Sequence, residues 1–495
     1  MQVTKVIIIG SGVAGLATSI RLAAAGYEVA VYEKNDFPGG KLSLFEQDGF
    51  RFDAGPSLFT EPELIEELFE LAGKKTAAYF EYHKVDITCN YFFSNGKKLK
   101  AAADNRAFSS TVAKELGEKE DAVYKYLERA RSLYDNIGSI FLNFSLHKSS
   151  TWLHPRIFKA LKTIRWPYLF STLNRHNERS FKNKETVQLF NRYATYNGSN
   201  PYTAPGMLSL IPHLEFNKGT FYPKGGMISI TNSLFRLAKE LGVEFHFNQK
   251  VTTINTLNGK ATGIMVDEKE IKADVVVSNS DVYFTYNHLL KQPAMAKKIE
   301  QLERSSSALI FYWGINKNYE ELGLHNIFFT ENYREEFRQL FKTKTLYHDP
   351  TVYINITAKM EPTHTPSGSE NWFVMVNAPV DEGQDWKQWT KVLRKQVIEK
   401  LNSMLQTDLE QHIVTELVLD PVGISARTAT YKGSLYGTSS NSPLSAFFRR
   451  PNFDKQVAGL YCCGGTVHPG GGIPLCLKSA AITASLIQEK HAAKQ

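Results

Sequence analysis

A chain of 495 residues exceeds a single core of ordinary size, so two or more domains are expected. Its 42% hydrophobic and 12% aromatic content is that of a globular protein, and no window approaches the ~20 uninterrupted apolar residues of a membrane span. The net charge of +8 favours anionic partners, while the four cysteines, Cys89, Cys462, Cys463 and Cys476, have the spacing of neither a disulfide framework nor a metal site. No metal is expected, and a reducing cytoplasm is the expected compartment. The apolar run near the N-terminus is taken up by the first predicted strand and lacks a cleavage site, so it is not read as a signal peptide.

Val6 to Ile9 reads as a strand, followed by the turn Gly10-Ser11-Gly12-Val13-Ala14-Gly15 and a helical stretch from Leu16 to Ala25. In that context Gly10 allows the tight turn, Gly12 lets the backbone approach a pyrophosphate, and Gly15 lets the helix pack closely on the strand. The helix N-terminus, at Val13 and Ala14, offers free N–H groups and a positive dipole end to phosphates. A second strand, Glu28 to Tyr32, ends at Glu33. Its carboxylate is placed for both hydroxyls of an adenosine ribose and would repel a 2′-phosphate, so a dinucleotide other than NADP is expected.

A plain dehydrogenase needs only a crossover helix next. This chain instead has Lys34, then Gly39-Gly40-Lys41, a glycine pair followed by a cation suited to a diphosphate or flavin edge, and then the turn Phe52-Asp53-Ala54-Gly55-Pro56-Ser57. The stretch resembles the flavin-dependent amine oxidase and phytoene desaturase superfamily, in which it runs along the cofactor toward the isoalloxazine. That resemblance implies FAD, with Gly40, Lys41, Gly55, Pro56 and Ser57 among its contacts.

From Lys148 to Lys184, nine basic residues stand against the single acid Glu178. A helix starting after Pro155 would put Ile157, Ala160, Leu161 and Ile164 on one face and Arg156, Lys159, Lys162 and Arg165 over the other, with Trp152, Trp166, Tyr168 and Phe170 flanking it. The pattern suits a basic amphipathic helix on an anionic membrane surface, and equally a surface helix whose apolar stripe faces the core. Nucleic acid is not expected, because no recognition motif accompanies the charge. Tyr193 to Gly226 carries only Glu215, Lys218 and Lys224 as full charges. It suits the wall of an apolar pocket, and a segment buried in the core would look the same.

The nucleotide-binding layer resumes with a helix from Met227 to Leu241 and strands at Val243 to Phe247, Val251 to Ile254, Ala261 to Val266 and Val275 to Ser278, with Val251 counted among the cofactor contacts. Strands at Leu309 to Gly314, Thr351 to Ile356 and Trp372 to Asn377 fall to a substrate side. Near the C-terminus a strand runs from Gly459 into Cys462-Cys463-Gly464-Gly465, whose two cysteines point to opposite faces. A glycine loop follows, then Gly472-Ile473-Pro474 and a helix from Leu475 to Lys490. Pro474 is pre-organised for a first helical position, and a helix N-terminus beside a flavin stabilises negative charge on it. Here the resemblance narrows. The run from Leu460 to Pro474 looks like the terminal signature of bacterial-type carotenoid desaturases. Asn197 to Tyr202, Leu210 to Glu215 and Tyr222 to Gly226 are similar to the family's central segment, and Gly464 to Pro474 is nearest in form to the hydroxycarotenoid 3,4-desaturase subgroup.

The family implies an α/β fold with a Rossmann-type FAD-binding domain of the phytoene desaturase and amine oxidase kind, at residues 1–85, 225–285 and 436–495. A discontinuous α+β substrate domain, 86–224 and 286–435, carries a helical insert at about 137–190 that would meet the membrane. It implies an FAD-dependent oxidoreductase acting on CH–CH groups. A hydride passes to flavin N5, a proton leaves the neighbouring carbon, and a double bond enters a long acyclic or hydroxylated polyene. Oxygen or a quinone would reoxidise the flavin, and the protein would sit on the cytoplasmic face of a membrane. The family's arginine ahead of its "YxGS" segment matches Arg427, before Tyr431-Lys432-Gly433-Ser434, whereas its Asp/Arg pair is not placed by this sequence. His213, Glu215 and His468 complete the catalytic candidates. Two other readings stay open: a carotenoid or retinoid isomerase or saturase, and a non-catalytic prenyl-lipid-binding protein. Intact Gly10, Gly12, Gly15, Glu33 and Lys41 argue against the second.

Overall fold

Valine and isoleucine fill Lys5–Ile9, Glu28–Tyr32 and Val275–Ser278, and strands so apolar on both faces pair in parallel between two covering layers. In the structure, a computed structural model that describes residues 3–153, 155, 166–443, 445 and 449–491, they are the middle of a five-stranded parallel sheet. Its order is Leu460–Cys462, Val275–Ser278, Lys5–Ile9, Glu28–Tyr32, Glu244–His246. Val6 and Ile8 face the helices Val13–Ala24, Ile228–Glu240 and Ile473–Lys490, while Ile7 and Ile9 face a three-stranded antiparallel meander. The adjacent cysteines do point apart, Cys463 toward the helices and Cys462 into a separate cluster with Val282 and Tyr286.

The meander corrects one expectation. Val251–Leu257 and Lys260–Val266 stand outside the parallel sheet because Asn258 and Gly259 both take positive φ in a two-residue hairpin turn, which allows only antiparallel pairing.

The second sheet has seven strands in the order Ile413–Leu419, Ser307–Ile315, Glu370–Ala378, Val352–Ile356, His325–Phe328, Ile87–Phe92, Lys98–Ala102. Side chains alternate across it: Leu309, Phe311 and Trp313 pack on the helix Trp386–Leu405, and Ala308, Ile310 and Tyr312 look the other way. Block 86–224 of the expected α+β substrate domain opens with two of these strands. Ile87–Phe92 completes its hydrogen bonds only by lying parallel to His325–Phe328, a partner far along the chain. The rest of the block is helical, including Glu120–Leu133, a π turn at Tyr134–Gly138 and Ser139–Asn143.

Arg156, Lys159, Lys162 and Arg165, the basic face expected at a membrane, lie outside the described residues. Beside them Tyr168 is buried with Ile137 and Met207, so it is a core residue, whereas Leu153 and Phe170 are 75% and 76% exposed. Among the described residues no helix is long and apolar enough to cross a membrane.

Candidate active site

One continuous cavity runs from the glycine turns at the carboxyl ends of the parallel strands to the inner face of the seven-stranded sheet. Of the residues expected at the cofactor, all but Gly15 line it. Gly15 sits just behind: a Cβ there would fall 2.2 Å from Gly10 O, so the first helix can approach the turn only with glycine at this point. A Cβ on Gly55 would lie 1.9 Å from Lys41 O, which holds the second glycine segment against the first. Glu33 is buried and accepts from Ser11 N (2.8 Å), Ser11 Oγ (2.9 Å) and Asn35 N (3.0 Å), so the turn itself orients the carboxylate.

Two helices, Val13–Ala24 and Ile473–Lys490, begin at Gly12 and Gly472 without a side-chain cap, and both ends line the cavity. Their unpaired N–H groups make an anion site. Asn279 ties these ends together. Its Nδ2 donates to Cys463 O at 3.1 Å, and its Oδ1 lies 2.8 Å and 3.0 Å from where Cβ atoms on Gly12 and Gly15 would be. Sequence reasoning missed it; the only hint was its place directly after Val275–Ser278.

Among the cations of the wall without a carboxylate partner among the described residues are Lys41, Arg449 and Arg427. Lys41 Nζ donates to Leu435 O (2.6 Å), and burial pushes its ammonium down to about 8. Arg449, also missed, donates to Tyr436 O (2.8 Å) and is brought by burial to about 10. Arg427 donates to Ser43 Oγ (2.9 Å) and stacks 4.1 Å over Phe45, again lowered by burial. Desolvated cations without counter-charge, beside two uncapped helix ends, fit the diphosphate of FAD.

The far part of the cavity is apolar. Ile310, Phe373 and Met375 line it from the sheet, and Ile137, Phe141 and Leu142 from one side of the insert helix. Met207, Leu208, Ile211 and Leu214 show that the 193–226 segment does form a wall. Polar groups here come as bonded sets. Glu215 accepts from Arg192 Nη2 (2.8 Å), Tyr193 OH (2.6 Å) and Tyr196 OH. Glu61 Oε1 accepts from Tyr134 OH (2.5 Å), Lys218 Nζ (2.9 Å) and Lys478 Nζ (3.0 Å), while Oε2 has no partner among the described residues. Burial alone would raise the Glu61 carboxyl, but Lys478 and Lys218 outweigh it and hold the group below its usual range. Its φ of +54° with 2% exposure is a strained place for a glutamate, and such strain concentrates at functional sites.

The other candidates fare differently. His468 lines the cavity, but its Nε2 faces Phe144 O at 2.9 Å, and burial, with His147 nearby, pushes the ring to about 4, so it is a neutral donor. His213 lies behind Tyr134, ring centroids 4.9 Å apart, outside the cavity lining; burial keeps it neutral as well. The turn Tyr431 to Ser434 is clamped from beneath by a buried pair, Arg304 to Asp281 at 2.5 Å, with Arg304 also donating to Ser434 Oγ at 2.9 Å.

A dinucleotide bed that opens directly onto a greasy wall places the protein among flavin-dependent oxidoreductases that act on apolar substrates. The family model of flavin containing amine oxidoreductases matches residues 13–488. The chain is 49% identical to the 1-hydroxycarotenoid 3,4-desaturase of a Flavobacterium species, over 99% of this chain and 100% of that one. It is 32% identical to the 4,4'-diapolycopene oxygenase of a Methylomonas species, covering 98% and 97%. Cyclohexylamine oxidase from Brevibacterium oxydans shares the fold with a TM-score of 0.62 over 99% of each chain at 14% identity. The chain therefore belongs to the flavin containing amine oxidoreductase family and, within it, to the bacterial-type carotenoid desaturases. FAD is its cofactor.

Proposed function

We propose that the protein is an FAD-dependent carotenoid desaturase that introduces a carbon–carbon double bond into a long acyclic, hydroxylated polyene. The observation that carries this reading is continuity: one cavity joins the glycine bed to the wall of Ile310, Phe373, Met375 and Phe141, so polyene and cofactor share one apolar space. The name of the relative at 49% identity supports the hydroxylated substrate class. In this reading residues 1–85, 225–285 and 436–495 form the FAD domain, and 86–224 with 286–435 the substrate domain.

When bound, FAD supplies a two-electron acceptor that takes a hydride from carbon. Hydride loss leaves a delocalised polyene cation whose neighbouring C–H is acidic enough for a weak base. Glu61 Oε2 takes that proton, since Glu215 is saturated by Arg192 and two tyrosines, His213 is off the cavity, and His468 is spent on a backbone carbonyl. Arg427 and Lys41 hold the cofactor's anionic edge, and oxygen or a quinone finally accepts the two electrons.

The test is anaerobic mixing of the purified, FAD-loaded protein with a hydroxylated acyclic carotene. Bleaching of the flavin band with one added conjugated double bond in the extracted product is expected. A cis/trans change with the flavin still oxidised would make it an isomerase, and polyene binding with neither change would make it a lipid-binding protein.

We also infer contact with an anionic membrane surface from the cytoplasmic side. Leu153 and Phe170, the two most exposed large apolar side chains among the described residues, flank the basic stretch, on the same insert as cavity-lining Phe141 and Leu142. Charge reversal at Arg156, Lys159 and Lys162 is expected to reduce sedimentation with anionic vesicles while FAD stays bound; unchanged sedimentation refutes it.

A further inference from the structure

His325 opens the strand His325–Phe328, so it and Ile327 face the cavity while Phe328 packs into the opposite core. Its Nδ1 meets Tyr353 OH at 2.7 Å and Asn355 Nδ2 at 3.2 Å. The same Asn355 Nδ2 donates to Leu324 O at 2.9 Å, which fixes the amide so that N–H, not oxygen, faces the ring. Nδ1 is therefore the acceptor and the ring proton sits on Nε2. That Nε2 is buried and has no partner among the described residues, although the residue lines the cavity. Burial, with Arg192 nearby, pushes the imidazole to about 3, so the ring is neutral throughout the physiological range.

A neutral donor left unpaired in a wall of Ile310, Ile327, Phe373 and Met375 fits a neutral oxygen and nothing anionic. Its place is also specific. Ser57 Oγ bonds Tyr353 OH at 2.7 Å, and Tyr353 bonds His325, so the array ties the donor to the Gly55–Ser57 turn of the cofactor bed. In a 3,4-desaturation of a 1-hydroxycarotenoid, the hydroxyl-bearing carbon is two bonds from the first reacting carbon, so the hydroxyl must lie beside the cofactor. We propose that His325 Nε2–H donates to the hydroxyl oxygen of the polyene, selecting oxygenated over hydrocarbon substrates and fixing which bond faces the flavin. The proposal rests on the carotenoid reading above.

The experiment uses the FAD-loaded protein and two acyclic polyenes of equal length, one bearing the hydroxyl and one lacking it. Binding is read by quenching of flavin fluorescence and turnover separately by anaerobic bleaching. The wild type is expected to bind the hydroxylated polyene about 5- to 100-fold more tightly. His325→Phe, which keeps an aromatic ring beside Tyr353, is expected to bring that ratio close to one by losing affinity for the hydroxylated ligand alone. His325→Gln, which retains an N–H donor, is expected to keep most of it. FAD content should be unchanged in both. An unchanged ratio in His325→Phe overturns the proposal, as does loss of FAD, which would make the cofactor the partner of Nε2. Selective binding through His325 without bleaching would instead sink the desaturase reading and leave this one standing. Binding of neither polyene by the wild type sinks both.

Discussion

Replacing Glu61 by Gln removes one negative charge from between two lysines while keeping the shape of the side chain. Lys478, with 7% of its side chain exposed, then has no counter-charge, whereas Lys218, 26% exposed, keeps Glu63 at 2.6 Å. The cost therefore falls on Lys478. Breaking a buried pair costs about 3–5 kcal/mol, and the partly exposed Lys218 contact adds only about 0–1 kcal/mol. Urea unfolding in constant excess FAD, followed by tryptophan and flavin emission, measures the loss. Lys478→Met should be damaging in the wild type and restorative in the Glu61→Gln background, with a coupling of about 2–3 kcal/mol. The carboxyl is held below its ordinary 4.5, so its contribution is fully present above that pH and is lost as the pH falls through the folded value. The stability gap between wild type and Glu61→Gln is accordingly expected to close below about pH 4.5. At saturating polyene, formation of the desaturated product is expected to slow by about 10²–10⁴-fold, the usual contribution of a placed base. Product formation at the wild-type rate would show that Glu61 takes no proton. A Lys478→Met substitution equally costly in both backgrounds would refute the network argument.

Gly15→Ala pushes a methyl group to 2.2 Å from Gly10 O, so the first helix must retreat; FAD affinity is expected to fall about 100-fold, roughly 3 kcal/mol. A yellow protein with stoichiometric FAD would contradict this. In FAD-free protein, Lys41, lowered by burial from 10.5 to about 8, makes stability rise as the pH climbs between those values, by about 3 kcal/mol in full. Lys41→Met should flatten that slope in denaturant titrations run across the same pH range. Met375→Trp fills the apolar branch at a cost of about 1–3 kcal/mol; flavin absorbance should persist while bleaching by the polyene is lost.

What the sequence exposed and what it hid follow from the range of the interactions. Gly10, Gly12, Gly15 and Glu33 are legible because one turn imposes all four, and Val275–Ser278 because an unbroken β-branched run has little else to do. Ile87–Phe92 was legible in part, through the Asn95-Gly96 turn that folds it onto Lys98–Ala102, whereas its parallel pairing with His325–Phe328 has no local pattern to announce it. Glu61 was hidden for another reason. It precedes the amphipathic helix Glu63–Leu71, and in the run Glu61-Pro62-Glu63 it looks like one more solvated acid, yet the left-handed backbone at Glu61 turns it inward. Asn279 and His325 matter through atoms that meet residues far away along the chain, so spacing carries no trace of them.

The charges around the cavity sort its two occupants. At the cofactor end Lys41, Arg427 and Arg449 are desolvated without carboxylates, an arrangement that an anion alone relieves. At the polyene end each buried ion is already paired, Arg192 with Glu215 and Lys478 with Glu61, and the imidazoles His325 and His468 are held neutral. An anionic group entering that end would find no unpaired cation among the described residues, and a polyene entering the first would leave Lys41, Arg427 and Arg449 bare. The same distribution bears on the chemistry. A hydride leaving carbon creates positive charge in the polyene, and the carboxylate with an unshared oxygen in that branch is Glu61, tethered by Lys478 one helical turn beyond Pro474. The helix whose N-terminus lines the glycine bed therefore also carries the lysine that holds the proposed base, so a shift of that N-terminus would move the bed and the proposed proton acceptor together.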